Sequence, residues 1–277
     1  MSTFCPVQGF SPASFEGKVL VLPAVSLANL PQLAADLLIT SLNLVRVGWI
    51  GKGDTVVPFF GAGEDEGEVL TGGLEVYGRT GGEVYVVQQR SPTIKTQKDA
   101  HVELLREFIT SNKLGYTLIL TSLDAANQDD AQLLTPHQRI LPPSSASSAS
   151  DGITKRIESS LPPLQLHLSE VPIPPISPPP SSGFSNTPYP PFLPSAGLTR
   201  RLLASLNDDP AKPAHATITA WCVEGDNRGD ARALADTALK VLGIDDVTLR
   251  EPSSWAGLFG ALGGWSGGLG SDAELYG

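Results

Sequence analysis

A chain of 277 residues, 41% hydrophobic and 17% charged, with 28 Gly and 24 Pro, can bury one full core while leaving a substantial irregular portion outside it. Its formal net charge of -10 and the lack of any Lys/Arg cluster disfavour nucleic-acid and anionic-membrane partners, since neither gains from counterion release at an acidic surface. Cys5 and Cys222 lie in unrelated segments, no run reaches the roughly 18 apolar residues of a membrane span, and MSTFCPVQGF carries no basic-then-apolar leader. A soluble, intracellular protein in a reducing compartment is the expectation.

Met1 to Glu16 reads as a lead-in, with Phe4, Phe10 and Phe15 as surface anchors. Next comes the stretch that organises the chain. Lys18 to Pro23 is a short, continuously apolar run that predicts a buried strand. Leu30, Leu33, Leu37, Leu38 and Leu42 repeat at helical spacing, and Val45 to Ile50 predicts a second strand, expected to join the first through a right-handed parallel crossover. Gly51 to Gly73, rich in Gly and acid, reads as a loop around the apolar piece Val56 to Phe60. Its GKGD lacks the spacing that wraps backbone N–H groups around a phosphate. Leu74 to Tyr77 and Glu83 to Arg90 predict a hairpin turning through GRTGG, so the sheet is expected to become antiparallel there. Asp99 to Asn112 predicts an amphipathic helix with Val102, Leu105 and Ile109 inward, and His101 reads as surface polarity. Tyr116 to Thr121 predicts another buried strand.

Ser122 to Arg139 leaves that strand at its carboxyl end, the usual place for a site in an open α/β sheet. Asp124, Asp129, Asp130 and His137 are therefore candidates for acid–base or metal chemistry, against partner-binding, loop-shaping or simple solvation. Leu141 to Pro194 holds SSASSAS, VPIPPISPPP and TPYPPFLP, which resist helix interiors and central strands. One helical island, Gly152 to Ser160, carries Ile153 and Ile157. LTRRLLASLND predicts a helix with Leu198, Leu202, Leu203 and Leu206 inward; Thr217 to Val223 a strand with outward threonines; and Asp230 to Leu242 a helix whose acidic start suits its dipole. Asp226 and Asn227 read as a turn and cap, with ion binding as the alternative. The final SSWAGLFGALGGWSGGLGSDAELYG has too many glycines to hold a helix, yet keeps Trp255, Leu258, Phe259 and Trp265. These are candidates for docking on another surface, or parts of a frayed terminus.

No GxSxG, HExxH, GxGxxG after a strand, CxxC pair or kinase set is present, and His101, His137, His167 and His215 sit in different segments. Motifs lower the enzyme hypothesis without excluding distant residues brought together by folding.

The chain resembles the proteasome assembly chaperone 2 family through a series of blocks in order: LVLPAVSLANLPQLAADLLITSLNL, VVQQRSP at Val86 to Pro92, LTSLDAANQDD at Leu120 to Asp130, GLTRRLL at Gly197 to Leu203, CVEGDNRGDA at Cys222 to Ala231 and SSWAGLFG at Ser253 to Gly260. The resemblance implies an α/β fold, one layered domain with a mixed, largely parallel sheet flanked by helices, akin to nucleoside phosphorylases. It implies a chaperone without catalytic residues, cofactor or metal, pairing with assembly chaperone 1 and binding 20S proteasome α subunits during ring assembly, in the cytoplasm and the nucleus. The ending Leu275, Tyr276, Gly277 resembles the hydrophobic, tyrosine, any-residue motif by which proteasome activators enter pockets between α subunits. With Trp255 and Phe259 it forms the expected partner-binding set. One domain is expected over 1–277, with 17–140 and 197–252 as ordered core, 141–196 as a partly disordered insertion and 253–277 as a Gly-rich tail. The alternatives are a nucleoside hydrolase or phosphorylase, which requires a concave polar pocket at the strand ends, and a scaffold binding through the Pro-rich insertion.

Overall fold

The computed structural model describes residues 3–62, 70–130, 132–143, 151–165 and 189–255. Among these, ten strands and five α-helices follow in the order β1 (Phe4–Pro6), β2 (Val19–Pro23), α1 (Leu30–Ser41), β3 (Val45–Ile50), β4 (Phe60–Ala62), β5 (Leu70–Gly72), β6 (Leu74–Gly78), β7 (Val84–Gln89), α2 (Lys98–Ser111), β8 (Tyr116–Asp124), β9 (His137–Ile140), α3 (Asp151–Ser160), α4 (Gly197–Asp208), β10 (His215–Cys222) and α5 (Arg228–Leu242). Eight strands form one sheet in the order β1-β3-β6-β7-β2-β8-β10-β9, and β4 and β5 form a separate ribbon.

The expected largely parallel, nucleoside-phosphorylase-like sheet is not what forms. Only the inner pairings β7–β2, β2–β8 and β8–β10 are parallel; β1–β3, β3–β6, β6–β7 and β10–β9 are antiparallel, as is β4–β5. The physical cause lies in connection length. The short turn from Gly78 to Val84 can only fold β6 and β7 back on each other, and that hairpin separates β3 from β2. The strand–helix–strand unit at the start is therefore real in its elements, but its two strands are not neighbours. Two short edge strands come from segments read as lead-in and loop.

Helices cover both faces. Under α2 and α4 lie Leu20, Leu22, Val76, Tyr85, Val87, Ile119, Phe108, Leu202 and Leu206. Under α1, α3 and α5 lie Val21, Val86, Leu118, Leu120, Ile218, Leu37, Ile157, Leu234 and Ala238. Alternate residues of the central strands go to opposite faces, and both faces are buried, which explains their unbroken apolar runs. The lead-in phenylalanines belong to the first core rather than the surface: Phe15 stacks edge-on to Tyr85 at 4.6 Å, and Phe4 lies 5.0 Å from Phe15 and 5.6 Å from Phe108. The outward threonines of β10 are also corrected. Thr217 and Thr219 are fully buried beneath α4, where Thr219 Oγ1 donates to the Gln138 carbonyl at 3.2 Å. On β8, Thr121 meets Thr199 of α4 at 2.8 Å.

Candidate partner-binding surfaces

The polar groups at the carboxyl edge of the sheet turn out to hold the backbone. Asp124 Oδ1 accepts from the Ala126 N–H at 3.0 Å, and Asp129 Oδ1 accepts from the Gln132 N–H at 2.9 Å. His137 does not join them: it opens β9, 3.0 Å from Thr237 Oγ1, and burial lowers its pKa against a small opposing pull from Asp236. Asp226 is bracketed by the Arg228 guanidinium at 2.6 to 3.1 Å and accepts the Arg228 N–H, while Asn227 donates to the carbonyls of Val223 and Gly225, both at 3.0 Å. These are turn contacts, each satisfied locally. Among the described residues no three His, Cys, Asp or Glu side chains gather as a metal site.

A crevice of about 590 Å³ does open beyond β2 and β10, lined by Val25 to Asn29, Ser195, Glu224 and Gly225. Ala28, Asn29 and Ser195 adopt positive φ there, at 57°, 52° and 60°. The turn is tied down by Ser122, whose hydroxyl donates to the Leu27 carbonyl at 2.6 Å and lies 2.8 Å from Ser26 Oγ. Among the described residues of this lining Glu224 is the titratable side chain. Cys222, close by, has its thiol pKa raised chiefly by burial and points to the Leu27 carbonyl at 3.7 Å.

His101 is a second histidine that the sequence misplaces. It is fully buried on α2, 3.0 Å from Thr55 Oγ1, and burial pushes its pKa down to about 4. The helical period alone could have found it, since position 101 shares a face with Leu105 and Phe108.

A larger polar system fastens the α1 face. Glu75 on β6 is fully buried and accepts from Arg46 Nη1 (2.8 Å), Thr71 Oγ1 (2.6 Å), the Gly72 N–H (2.8 Å) and the Tyr77 hydroxyl (2.8 Å). Arg46 in turn stands 4.6 Å over the Trp49 ring. On the neighbouring strand, Gln88 Nε2 donates to Asp36 Oδ1 at 2.7 Å, and Arg90 pairs with the same carboxylate at 3.1 Å. Burial followed by the Glu75 charge pushes the Tyr77 phenol up to about 12.

Of the expected partner-binding set, Leu275, Tyr276, Gly277 and Phe259 lie outside the described residues. Trp255 is placed, and within this chain it is a core residue: 5% exposed, packed with the α1 and α5 cluster, its indole N–H 3.4 Å from Asp36 Oδ2. The approach to it is pinned by Arg250, which donates to the Thr40 carbonyl (2.8 Å) and Asn43 Oδ1 (2.6 Å), and by Arg232, which bonds Glu251 at 2.8 Å. Trp255 is therefore fixed beside α1.

Among the described residues, two groups of exposed apolar side chains stand out. One is Leu133 (65% exposed), Leu134 and Val223 at the carboxyl edge; the other is Val57, Phe59 and Phe60 leading into β4. In sequence Val56 to Phe60 reads only as an apolar piece within an acidic loop, and Leu133 and Leu134 carry no signal beyond their place in a polar segment.

Comparison with known proteins agrees with this architecture. The family model described as the PAC2 family matches residues 20–174. Proteasome assembly chaperone 2 of Danio rerio is 31% identical over 266 residues, covering 92% of this chain and 96% of that protein. Its Homo sapiens counterpart is 30% identical over 270 residues, covering 91% and 96%. Among solved structures, Pyrococcus furiosus PbaA, an archaeal homolog of proteasome-assembly chaperone, superposes with a TM-score of 0.58 over 88% of this chain and 89% of that one at 12% identity. PbaB, an archaeal proteasome activator of the same organism, gives 0.54 over 89% and 91% at 11% identity. The order of elements, the buried β2–α1 unit and the match along nearly the whole length lead to one conclusion: this chain belongs to the PAC2 family.

Proposed function

We propose that this chain is a non-enzymatic chaperone subunit of 20S proteasome assembly, pairing with assembly chaperone 1 and binding α subunits as the α ring forms. The observation that carries this reading is the end-to-end similarity to proteasome assembly chaperone 2 proteins, which spans 96% of the Danio rerio relative's length. The carboxyl-edge carboxylates Asp124, Asp129 and Asp226 are engaged in turns, which suits a protein that works by binding.

In this reading Leu275, Tyr276 and Gly277 enter a pocket between neighbouring α subunits. The tyrosine ring fills a slot, Leu275 adds apolar contact, and the terminal carboxylate pairs with a cation at the mouth. The Gly-rich run Gly263 to Gly270 would supply reach at little steric cost. Cytoplasm and nucleus, where 20S particles would be met, belong to the same proposal.

The test is truncation of Leu275 to Gly277 in the full chain, co-expressed with assembly chaperone 1. Loss of α-ring binding, with chaperone pairing and melting temperature intact, is expected; undiminished ring binding removes the tail from the mechanism.

A further inference from the structure

Strand β10 meets two helices with opposite chemistry. Towards α5 it turns Ala216, Ile218, Ala220 and Cys222, all buried in the apolar cluster on that side. Towards α4 the alternate positions are His215, Thr217, Thr219 and Trp221. Thr117 of β8, opposite His215, and Thr121 of β8 and Gln138 of β9, both opposite Thr219, extend this polar bed across three strands.

Part of the bed is satisfied: Thr121 meets Thr199 of α4, Thr219 bonds the Gln138 carbonyl, and His215 Nε2 lies 2.9 Å from the Tyr189 hydroxyl. Four of its atoms are not. Thr117 Oγ1, Thr217 Oγ1, Gln138 Oε1 and Trp221 Nε1 are enclosed without a hydrogen-bond partner in the chain. A polar group kept from water without a partner weakens the closed structure by a factor of about 5 to 150 in the equilibrium constant. Water reaching the bed restores those bonds, so a state with α4 lifted lies closer to the closed state than one with α5 lifted.

The helix itself is lightly held. It buries Leu202, Leu203 and Leu206 with Thr199, whereas α5 buries Ala231, Leu234, Ala235, Ala238, Leu239 and Val241. No side chain caps its first turn, and Ser195, just before the cap, sits at a φ of 60°. The Arg201–Asp99 pair on its outer side is exposed and adds little. Its fixed end is the carboxyl one, where Arg106 of α2 pairs with the buried Asp209.

We infer that α4 is a lid: residues 196–208 lift from the sheet as a unit about Asp209 while β8, β10 and α5 stay folded. This goes beyond the chaperone reading and does not depend on it. The lid gives one face of the sheet two states, covered and open. A partner shifts the balance between them by its difference in affinity for the two, and the polar bed makes the difference required small.

The experiment is native-state hydrogen exchange on the full chain in low, increasing urea. Amides of α4 should exchange about 100-fold faster than those of α5, with little urea dependence, the mark of local opening. Thr217→Val keeps the shape of the side chain and removes one unpartnered hydroxyl, so it should slow α4 exchange about tenfold without lowering the melting temperature. Thr121→Cys with Thr199→Cys replaces two hydroxyls that lie 2.8 Å apart. Oxidised, this pair should bring α4 to within about threefold of α5, and reduction should undo the change. Exchange of α4 and α5 together in the wild type, with the same urea dependence, overturns the lid. So does an oxidised pair that leaves α4 exchange unchanged, or a Thr217→Val chain that melts lower, since that hydroxyl would then have a partner.

Discussion

Glu75 shows how far a single side chain can be committed. Its carboxylate is completely enclosed and takes four donors from β3, β5 and β6, among them the Arg46 guanidinium. Removing one member of a buried ion pair strands the other, so Glu75→Ala should cost about 3–5 kcal/mol in urea unfolding, far beyond a surface Glu→Ala change. It should also free the ribbon base, seen as faster amide exchange at Gly72. In sequence this residue was only the polar member of LEVY, within a strand pattern that was read correctly. Nothing in a period of two says that Arg46, 29 positions away, will meet it. Phe4, Phe10 and Phe15 failed to be read as core for the same reason: their partners Tyr85 and Phe108 are brought by distant elements.

At the scale of elements, the most informative piece has little regular structure. The run from Val247 to Trp255, which closes in a short 3-10 turn at Ser253–Trp255, is held against α1 and α5 by the Arg250 N–H on Ser41 Oγ, by the Leu249 carbonyl and Glu251 on Arg232, and by the packing of Trp255. If Trp255 is the keystone of that strap, Trp255→Ala should cost about 3–5 kcal/mol, the range for emptying a buried aromatic site, and raise exchange in residues 247–255. An unchanged melting temperature would return Trp255 to the surface-docking role. Edge strand β1 offers a second test. A methyl group on Gly48 would lie 2.4 Å from both the Cys5 carbonyl oxygen and Phe4 Cζ. Gly48→Ala should therefore push β1 off β3 and destabilise the protein by about 1–3 kcal/mol, with the exchange gain confined to residues 4–7. Strong periodic elements such as α1, β7 and β8 were legible; β1 and β9 were not, because strands of three and four residues carry too few positions to show a period.

For the whole molecule, burial of histidines sets the response to acid. His101 is held near a pKa of about 4, and burial also lowers His137 and His215. The unfolded chain takes up these protons near pH 6.5 while the folded chain resists. Stability is therefore complete above about 6.5 and declines as pH falls, with His101 accounting for up to about 3 kcal/mol by pH 4. His101→Gln should flatten that decline in a pH series of melting temperatures; an equally steep fall would assign it to other groups. The net charge of -10 predicts passage through a heparin column at pH 7 without retention. Composition, apolar periodicity and ordered sequence blocks were enough to determine the α/β class, most helices and central strands, and the family, because these depend on local pattern and on chemistry carried in order along the chain. Strand order, the balance of parallel and antiparallel pairing, the enclosure of Glu75 and His101, the inward turn of Trp255 and the outward aim of Phe60 were decided only in three dimensions. Each depends on which distant segments meet, and pairwise contact energies between remote residues leave no periodic trace in the chain.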